Sequence, residues 1–299
     1  PNLTGSPRRM GQNAFVGGVS DGTYGMAAFQ FHNKPDDLYA HKSWFFFDRS
    51  VVCLGSGIST SADRRVTTTI NQCQLGDNVT VKTQGTTKQL NKGKHNLPKT
   101  SWVYHDGIGY AFPDAANVQL SNRKKTGNWW HINHKYSKKE VSENVFTLWL
   151  DHGIAPRKAR YAYFVLPDAA ASTLSERVAE LGIEVLSNTS RLQAVFNTDP
   201  KILQAAFYKS GRVEAPLVDW IEVDKPCLVM LDKKQDNIQL SVSDPTQKLE
   251  HIQIKLGHPF RRSGSAAHKV EDTMTRLKLK LPGGKYAGQS KSVTLIRLN

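Results

Sequence analysis

The sequence predicts an all-β protein built from antiparallel β-sandwiches. Short runs of apolar and β-branched residues recur along the chain, and clusters of Gly, Ser, Asp and Asn separate them. Only one segment has helical spacing of apolar residues, so the strand–helix alternation of a parallel α/β sheet is missing. The chain has 299 residues, 39% of them hydrophobic, and six Trp. It is therefore long and apolar enough for one large or two ordinary domains.

The first part of the chain contains eight predicted strands. An Asp-Gly dipeptide at 106–107 lies between two of them and favours a tight hairpin turn. The segment 79–105 carries five lysines and no acidic residue, and we expect most of it to form an exposed loop. The predicted strands are residues 23–31, 42–47, 51–54, 66–71, 102–105, 109–112, 145–150 and 160–166.

A single predicted helix marks a domain boundary. Thr173 and Glu176 have the spacing of a capping box, and the apolar residues that follow Thr173 share one helical face. Gly182 is well placed to end this helix. We therefore divide the sequence into two predicted domains, residues 1–182 and 183–299.

Strands resume after the helix, and one of them alternates strictly. In residues 276–281 (RLKLKL) the period of two places three leucines on one face and three basic residues on the other. A Pro-Gly-Gly sequence ends this strand, and a last strand follows at 293–298. The other predicted strands are residues 183–186, 192–196, 203–208, 220–223, 227–231 and 238–242.

The formal net charge of +14 argues for an anionic partner. Charge alone leaves nucleic acid, an acidic polysaccharide and a membrane surface open. Arg123, Lys124 and Lys125 lie together, close to Trp129 and Trp130. Aromatic rings stack on sugar faces, and cations pair with sulfate or carboxylate groups, so this combination indicates a site for an acidic glycan. A solvated basic surface is the alternative explanation.

Several other classes of site lack sequence support. The chain has no phosphate-binding Gly-rich loop, no hydrolase nucleophile motif and no known nucleic-acid-binding module. No apolar run is long enough for a membrane helix. His131 and His134 lie near one another but have neither helical spacing nor a third ligand, so we expect no metal site.

The cysteines and the start of the chain also bear on the class of protein. Cys53, Cys73 and Cys227 are far apart and odd in number, so we expect free, buried thiols rather than a disulfide. No signal-peptide pattern follows Pro1, and the sequence does not begin with Met. We expect a mature or truncated product.

Nine stretches, in order along nearly the whole chain, resemble polysaccharide lyase family 8, and most closely its chondroitin AC lyases. They are residues 15–25 (FVGGVSDGTYG), 42–48 (KSWFFFD), 52–58 (VCLGSGI), 67–72 (TTTINQ), 105–113 (HDGIGYAFP), 127–133 (GNWWHIN), 151–153 (DHG), 161–167 (YAYFVLP) and 224–227 (DKPC).

This resemblance implies a specific fold and context. The chain would correspond to the later part of a large antiparallel β-sandwich domain, followed by a smaller carboxy-terminal β domain. An amino-terminal α/α toroid would lie outside it. Such bacterial lyases cleave chondroitin sulfate or hyaluronan by β-elimination and are secreted or periplasmic. The calcium site of some members uses upstream ligands, so we expect no cofactor in this chain.

The resemblance also implies that the catalytic residues lie outside this chain. Amide and imidazole groups neutralise the uronate carboxylate, and a Tyr, assisted by Arg, exchanges the proton. The toroid and the start of the β region supply these groups, and none of their motifs is present. Tyr24, Tyr110 and His131 lie in strand and turn motifs, so no catalytic residue is assigned. We expect a lyase as the parent protein and no activity from this chain alone.

The implied contribution of this chain is one wall of the glycosaminoglycan cleft and support for the toroid. The family often has an aromatic residue near Pro7, where this sequence has Arg8 and Arg9. The candidate substrate-binding residues are Arg8, Arg9, Arg123, Lys124, Lys125 and Trp129. The expected partners are an acidic polysaccharide and the toroid, not nucleic acid or a membrane. A free-standing module for acidic carbohydrates and a basic β protein that binds nucleic acid are the alternatives.

Overall fold

The computed structural model of the chain describes residues 11–263, 269–271 and 273–298. Over these residues the protein is almost entirely β, with a single short α-helix. Neighbouring strands in its sheets pair antiparallel. The prediction of an all-β, antiparallel fold is confirmed. Among the described residues, no helix is long and apolar enough to cross a membrane.

The strands are numbered in chain order, and the helix α1 is Leu174–Ala179. The strands are β1 Val16–Ser20, β2 Gly25–Asn33, β3 Leu38–Phe47, β4 Ser50–Ser59, β5 Arg65–Gln74, β6 Thr80–Thr83, β7 Thr86–Gln89, β8 Lys94–His105, β9 Ile108–Gly127, β10 Val141–Ile154, β11 Ala159–Leu166, β12 Ile183–Asn188, β13 Leu192–Thr198, β14 Lys201–Phe207, β15 Gly211–Ala215, β16 Asp219–Val223, β17 Cys227–Lys234, β18 Asn237–Ser243, β19 His251–Leu256, β20 Phe260–Arg262, β21 Lys269–Glu271, β22 Met274–Lys280 and β23 Lys291–Arg297.

The chain packs as two compact units. The first contains Thr60–Pro156 and Tyr163–Val178, and the second contains Gln12–Ser59, Arg157–Ala162 and Ala179–Asn299. The second unit thus combines segments that are distant in sequence. The division of the sequence at Gly182 into two domains stays a prediction.

The first unit is built on a sheet in the strand order β5-β10-β9-β8-β6-β7. Val118 and Leu120 of β9 and Phe146 and Leu148 of β10 are fully buried on one face of this sheet. The alternate residues of the same strands face away from this core. The Asp-Gly turn predicted between β8 and β9 is confirmed, since Asp106 and Gly107 have φ of 48° and 76°.

Two local predictions need correction. The lysine-rich segment 79–105, most of which was expected to be a loop, contains β6, β7 and the whole of β8. The sequence gives only a weak signal for β6, because its inward-facing residues are Val81 and the polar Thr83. Helix α1 ends at Ala179, before Gly182. Gly182 has φ of +59°, and a Cβ there would lie 2.4 Å from Oγ1 of Thr198, so it serves the entry to β12.

The second unit contains a sandwich of two sheets. The seven-stranded sheet has the order β12-β13-β14-β17-β18-β23-β20, and the five-stranded sheet has the order β15-β16-β19-β22-β21. Apolar residues from both sheets form one core. The alternation predicted for residues 276–281 is confirmed, because Leu277, Leu279 and Leu281 belong to this core and the basic residues between them are exposed.

The other face of the seven-stranded sheet carries a buried polar network within the second unit. Gln193 of β13 is its centre. Its Oε1 accepts hydrogen bonds from Ser43 Oγ at 2.8 Å and from the Tyr208 hydroxyl at 2.7 Å. Its Nε2 donates to Ser56 Oγ at 3.2 Å and to Asn188 Oδ1 at 2.9 Å. These bonds join strands β3 and β4 to the carboxy-terminal segment. They also satisfy the buried polar groups of this region, which require hydrogen-bond partners.

Candidate functional site

Four of the six predicted binding residues lie on one hairpin, formed by β9 and β10. Arg123, Lys124 and Lys125 are near the end of β9, and Trp129 is in the 3-10 turn that follows. We call residues 123–141 the hairpin end; it contains six Lys or Arg and one Glu. Arg8 and Arg9 lie outside the described residues. The hairpin end is therefore a local concentration of positive charge.

Strand alternation divides the three consecutive cations between two faces. Lys124 shares the face of Asn122, whereas Arg123 and Lys125 share the opposite face with Ser121. Sequence proximity suggested one cluster, but β9 brings only Arg123 and Lys125 together.

A third cation from β8 joins this pair. Lys94 lies directly opposite Ser121 in the β8–β9 register, so its side chain is on the face of Arg123 and Lys125. We call this group the cation trio: Lys94, Arg123 and Lys125. Lys94 is one of the five lysines of the segment 79–105, most of which the sequence predicts to be a loop, and the pairing of β8 with β9 places it here.

The cation trio is not neutralised by ion pairing among the described residues. None of its three members forms an ion pair there. Burial lowers the pKa of Lys125, and the positive charges of Arg123 and Lys94 lower it further. Its ammonium donates a hydrogen bond to Oγ1 of Thr147 on β10 at 2.7 Å. The trio therefore produces a positive potential that an anion would relieve.

The buried amide of Asn122 holds the segment that carries Lys94. Its Oδ1 accepts a hydrogen bond from the Gly93 backbone N–H at 2.9 Å, and its Nδ2 donates to the Asn91 carbonyl at 3.1 Å. The Asn122 backbone N–H also donates to the Gly93 carbonyl at 3.1 Å. Asn122 is thus a positioning residue that sequence reasoning missed, because an Asn within a strand pattern gives no sign of such contacts.

The turn of the hairpin presents aromatic rings to solvent. Trp129 is 58% exposed, and Tyr136 is 60% exposed. Trp130 stacks on His134 with ring centroids 4.2 Å apart, and Nζ of Lys138 lies 4.6 Å from the Trp130 ring centroid. Exposed rings beside cations can stack on pyranose rings and pair with their acidic groups. The site is thus suited to bind an acidic sugar polymer.

Tyr24 and Tyr110, whose hydroxyls could in principle exchange a proton with a substrate, already have hydrogen-bond partners within the protein. The Tyr24 hydroxyl donates to Asp48 Oδ2 at 2.8 Å, and burial followed by this bond raises its pKa to about 12. Tyr110 is only 2% exposed, and its hydroxyl accepts a hydrogen bond from Asn71 Nδ2 at 2.5 Å. Burial raises the pKa of Tyr110 as well. A proton-abstracting base needs access and a pKa nearer neutrality, so neither tyrosine suits that task.

The histidines and cysteines form no metal centre in the part of the chain that the structure describes. No group of three or more His, Cys, Asp or Glu there could hold an ion. His131 and His134 belong to the exposed turn, where their rings contact Trp130. The three cysteines are free, as predicted, although Cys73 is only partly buried.

Comparisons with known proteins extend over most of the chain. The model of the super-sandwich domain of polysaccharide lyase family 8 matches residues 3–178, and the model of that family's C-terminal β-sandwich domain matches residues 184–253. A chondroitinase-AC of Pedobacter heparinus is 42% identical over 241 residues, which cover 80% of this chain and 33% of the relative. A hyaluronate lyase of Thermasporomyces composti is 30% identical over 291 residues, 93% of this chain and 36% of the relative.

Solved structures agree with these matches. A chondroitinase AC lyase has a TM-score of 0.82 at 36% identity, with 94% of this chain and 40% of that chain covered. A Paenibacillus xanthan lyase has a TM-score of 0.87 at 25% identity, with 98% and 30% covered. The chain spans about a third of the length of the Pedobacter chondroitinase-AC and of the Thermasporomyces hyaluronate lyase.

The antiparallel sheets define an all-β protein of the sandwich class. Both family models match consecutive parts of the chain, and the first alone covers more than half of it. The chain belongs to polysaccharide lyase family 8. The resemblance inferred from the sequence motifs is thereby confirmed.

Proposed function

We propose that this chain is the β-sheet part of a glycosaminoglycan lyase that acts by β-elimination, and that it forms one wall of the polysaccharide cleft. The observation that carries the proposal is the hairpin end, which contains six cationic residues and one carboxylate and in which Trp129 is exposed. Relatives named chondroitinase-AC and hyaluronate lyase support an acidic polysaccharide as the substrate.

The catalytic groups belong, in this proposal, to an α/α toroid outside the chain. The occupied hydroxyls of Tyr24 and Tyr110 support this division of labour. The chain binds and supports, whereas the toroid neutralises the uronate carboxylate and moves the proton. The parent protein would be secreted or periplasmic, where such polymers are encountered.

Activity and binding assays on the purified 299-residue chain test the proposal. We expect no unsaturated-uronate absorbance from chondroitin sulfate or hyaluronan, and measurable retention on immobilised chondroitin sulfate. Robust turnover would refute the assignment of catalysis to the toroid. Absence of retention would refute the role of the hairpin end in binding.

The same assays separate the alternative functions. A free-standing module for acidic carbohydrates would bind equally well but would not increase the turnover of a separately produced toroid. A nucleic-acid-binding protein would be retained on polymerised DNA to higher salt than on chondroitin sulfate. We expect stimulation of the toroid and stronger retention on the glycan at matched ionic strength.

A further inference from the structure

A buried hydroxyl on the polar face of the hairpin has unused hydrogen-bonding capacity. Ser121 is 3% exposed, and its Oγ has no hydrogen-bond partner among the described residues. Buried hydroxyls almost always have a partner, because leaving one without costs about 1–3 kcal/mol. An unmet hydroxyl beneath cations therefore points to a ligand that accepts its hydrogen bond.

Ser121 has polar or cationic neighbours on three adjacent strands. Lys94 is directly opposite on β8, and Thr147 is directly opposite on β10. Residues opposite one another have Cβ atoms about 4.5–5.5 Å apart and project from the same face. Arg123 and Lys125 follow Ser121 on that face of β9.

The positive charges around Ser121 favour an anionic ligand. Glu143 is in register with Lys125, but it is exposed and forms no ion pair with the cation trio among the described residues. Thr147 is the present partner of the Lys125 ammonium. A neutral hydroxyl is a weaker partner for an ammonium group than an anion is, so a charged oxygen can replace Thr147 as the partner of Lys125.

We propose that the cation trio and Ser121 bind the sulfate ester of the glycan. This inference rests on the proposed function and specifies the group that the hairpin recognises. A sulfate ester presents three terminal oxygens, which can be shared among three separate cations and a hydroxyl. A carboxylate is planar with two oxygens and is best matched by a single guanidinium fork. The spread of the donors over β8 and β9 favours the sulfate.

The decisive experiment compares two neighbouring lysines on opposite faces of β9. Affinity of the 299-residue chain would be measured for chondroitin sulfate oligosaccharides and for unsulfated chondroitin of the same length. We expect Lys125→Met to reduce the sulfated-over-unsulfated preference about tenfold, since charge-assisted bonds are worth roughly that factor. The matched variant Lys124→Met, which also removes a cation of the hairpin end, should weaken binding of both oligosaccharides alike and so leave the preference within about twofold.

Ser121→Ala tests the hydroxyl without any change of charge. It should reduce affinity for the sulfated oligosaccharide about fivefold and leave affinity for the unsulfated one unchanged. Circular dichroism and the melting temperature of each variant would verify folding. Lys125→Gln serves in place of Lys125→Met if the latter is unstable.

Titration with inorganic sulfate, followed by amide chemical shifts, tests the cation trio and Ser121 apart from the polymer. We expect saturable shifts at Ser121 and Thr147 in the wild type that are lost in Lys125→Met. Equal effects of Lys124→Met and Lys125→Met, or no preference for the sulfated polymer, would overturn the proposal. If inorganic sulfate binds while neither polymer does, the proposed function is refuted, whereas anion binding by the cation trio and Ser121 is supported.

Discussion

At the scale of single residues, Asp21 and Asp232 are buried carboxyl groups of the second unit with one cation beside them. Their side chains are 1% and 3% exposed, and Nζ of Lys234 contacts both. Burial raises the pKa of Asp232 above its ordinary value despite Lys234. Burial also opposes ionisation of Asp21, but backbone hydrogen bonds from Tyr24 and Thr23 leave its pKa lowered. The proton of the pair therefore belongs mainly to Asp232.

Asp232→Asn should stabilise the protein increasingly as pH rises. A raised pKa in the folded state gives a contribution that is complete below the unfolded pKa and is lost as pH rises through the folded one. The amide needs no proton and does not lose this contribution. Urea unfolding of variant and wild type from pH 4 to pH 7 measures the difference. Asp236→Asn, in the exposed turn of the same hairpin, is the control, and equal pH dependence of the two variants would contradict the assignment.

Only part of the candidate site could be predicted at this scale. Trp129 and the neighbouring cations were visible as an aromatic–cation cluster in the sequence. Ser121 and Asn122 were not, since their roles arise from residues about 30 positions away that β8 brings alongside. The side chains of Lys124 and Lys125 lie on opposite faces because strand residues alternate. This follows only once β9 is known to continue as far as Gly127.

At the scale of elements, β22 shows how alternation determines stability. Leu279 is 2% exposed in the core between the two sheets, whereas the preceding Lys278 is exposed. Leu279→Ala should lower the free energy of unfolding by about 2–5 kcal/mol, because it removes buried methyl groups and leaves a cavity. Lys278→Ala should change it by less than about 0.5 kcal/mol. Denaturant unfolding of both variants provides the measurement, and similar losses would contradict this packing.

Strands with apolar or strictly alternating residues were predictable, whereas strands made of polar residues were not. Residues 276–281 alternate between Leu and basic residues, and the structure has β22 there. In contrast, β7 has four exposed residues, TTKQ, and is ordered by its pairing with β6. Such a strand has no hydrophobic period, so pairing rather than pattern determines it. Helix α1 ends at Ala179 rather than next to Gly182. Gly182 is instead required where the chain passes close to Thr198, a contact that the local sequence does not reveal.

At the scale of the whole molecule, the second unit combines chain segments separated by more than a hundred residues. Strands β1–β4 and the carboxy-terminal sheets belong to it together. In the carboxy-terminal segment, Gln193 Oε1 accepts a hydrogen bond from Ser43 Oγ, the Tyr208 hydroxyl donates to the Lys42 carbonyl at 3.1 Å, and Gln204 Nε2 donates to the Phe46 carbonyl at 3.4 Å. These polar groups therefore take some of their hydrogen-bond partners from residues far upstream.

The predicted domain 183–299, produced alone, should therefore be less stable than the same residues within the whole chain. Removal of residues 12–59 takes away the Ser43 and Ser56 partners of Gln193 and the Phe46 carbonyl partner of Gln204. This costs about 1–3 kcal/mol for each polar atom that stays buried and unsatisfied. Hydrogen exchange of β13 and β14 in the two proteins measures the loss. Equal protection would support Gly182 as the boundary of an independent domain.

Residues Val118–Gly127 of β9 pair with β10 in one uninterrupted register, so each position there has a fixed parity. Removal of Gln119, while both strand ends are retained, would invert every later position. Arg123 and Lys125 would then turn toward the hydrophobic side, and Lys124 would turn outward in their place. Tolerance of length change is thus unequal along the hairpin: the turn at 128–140 can lengthen freely, whereas the strand admits additions only in pairs.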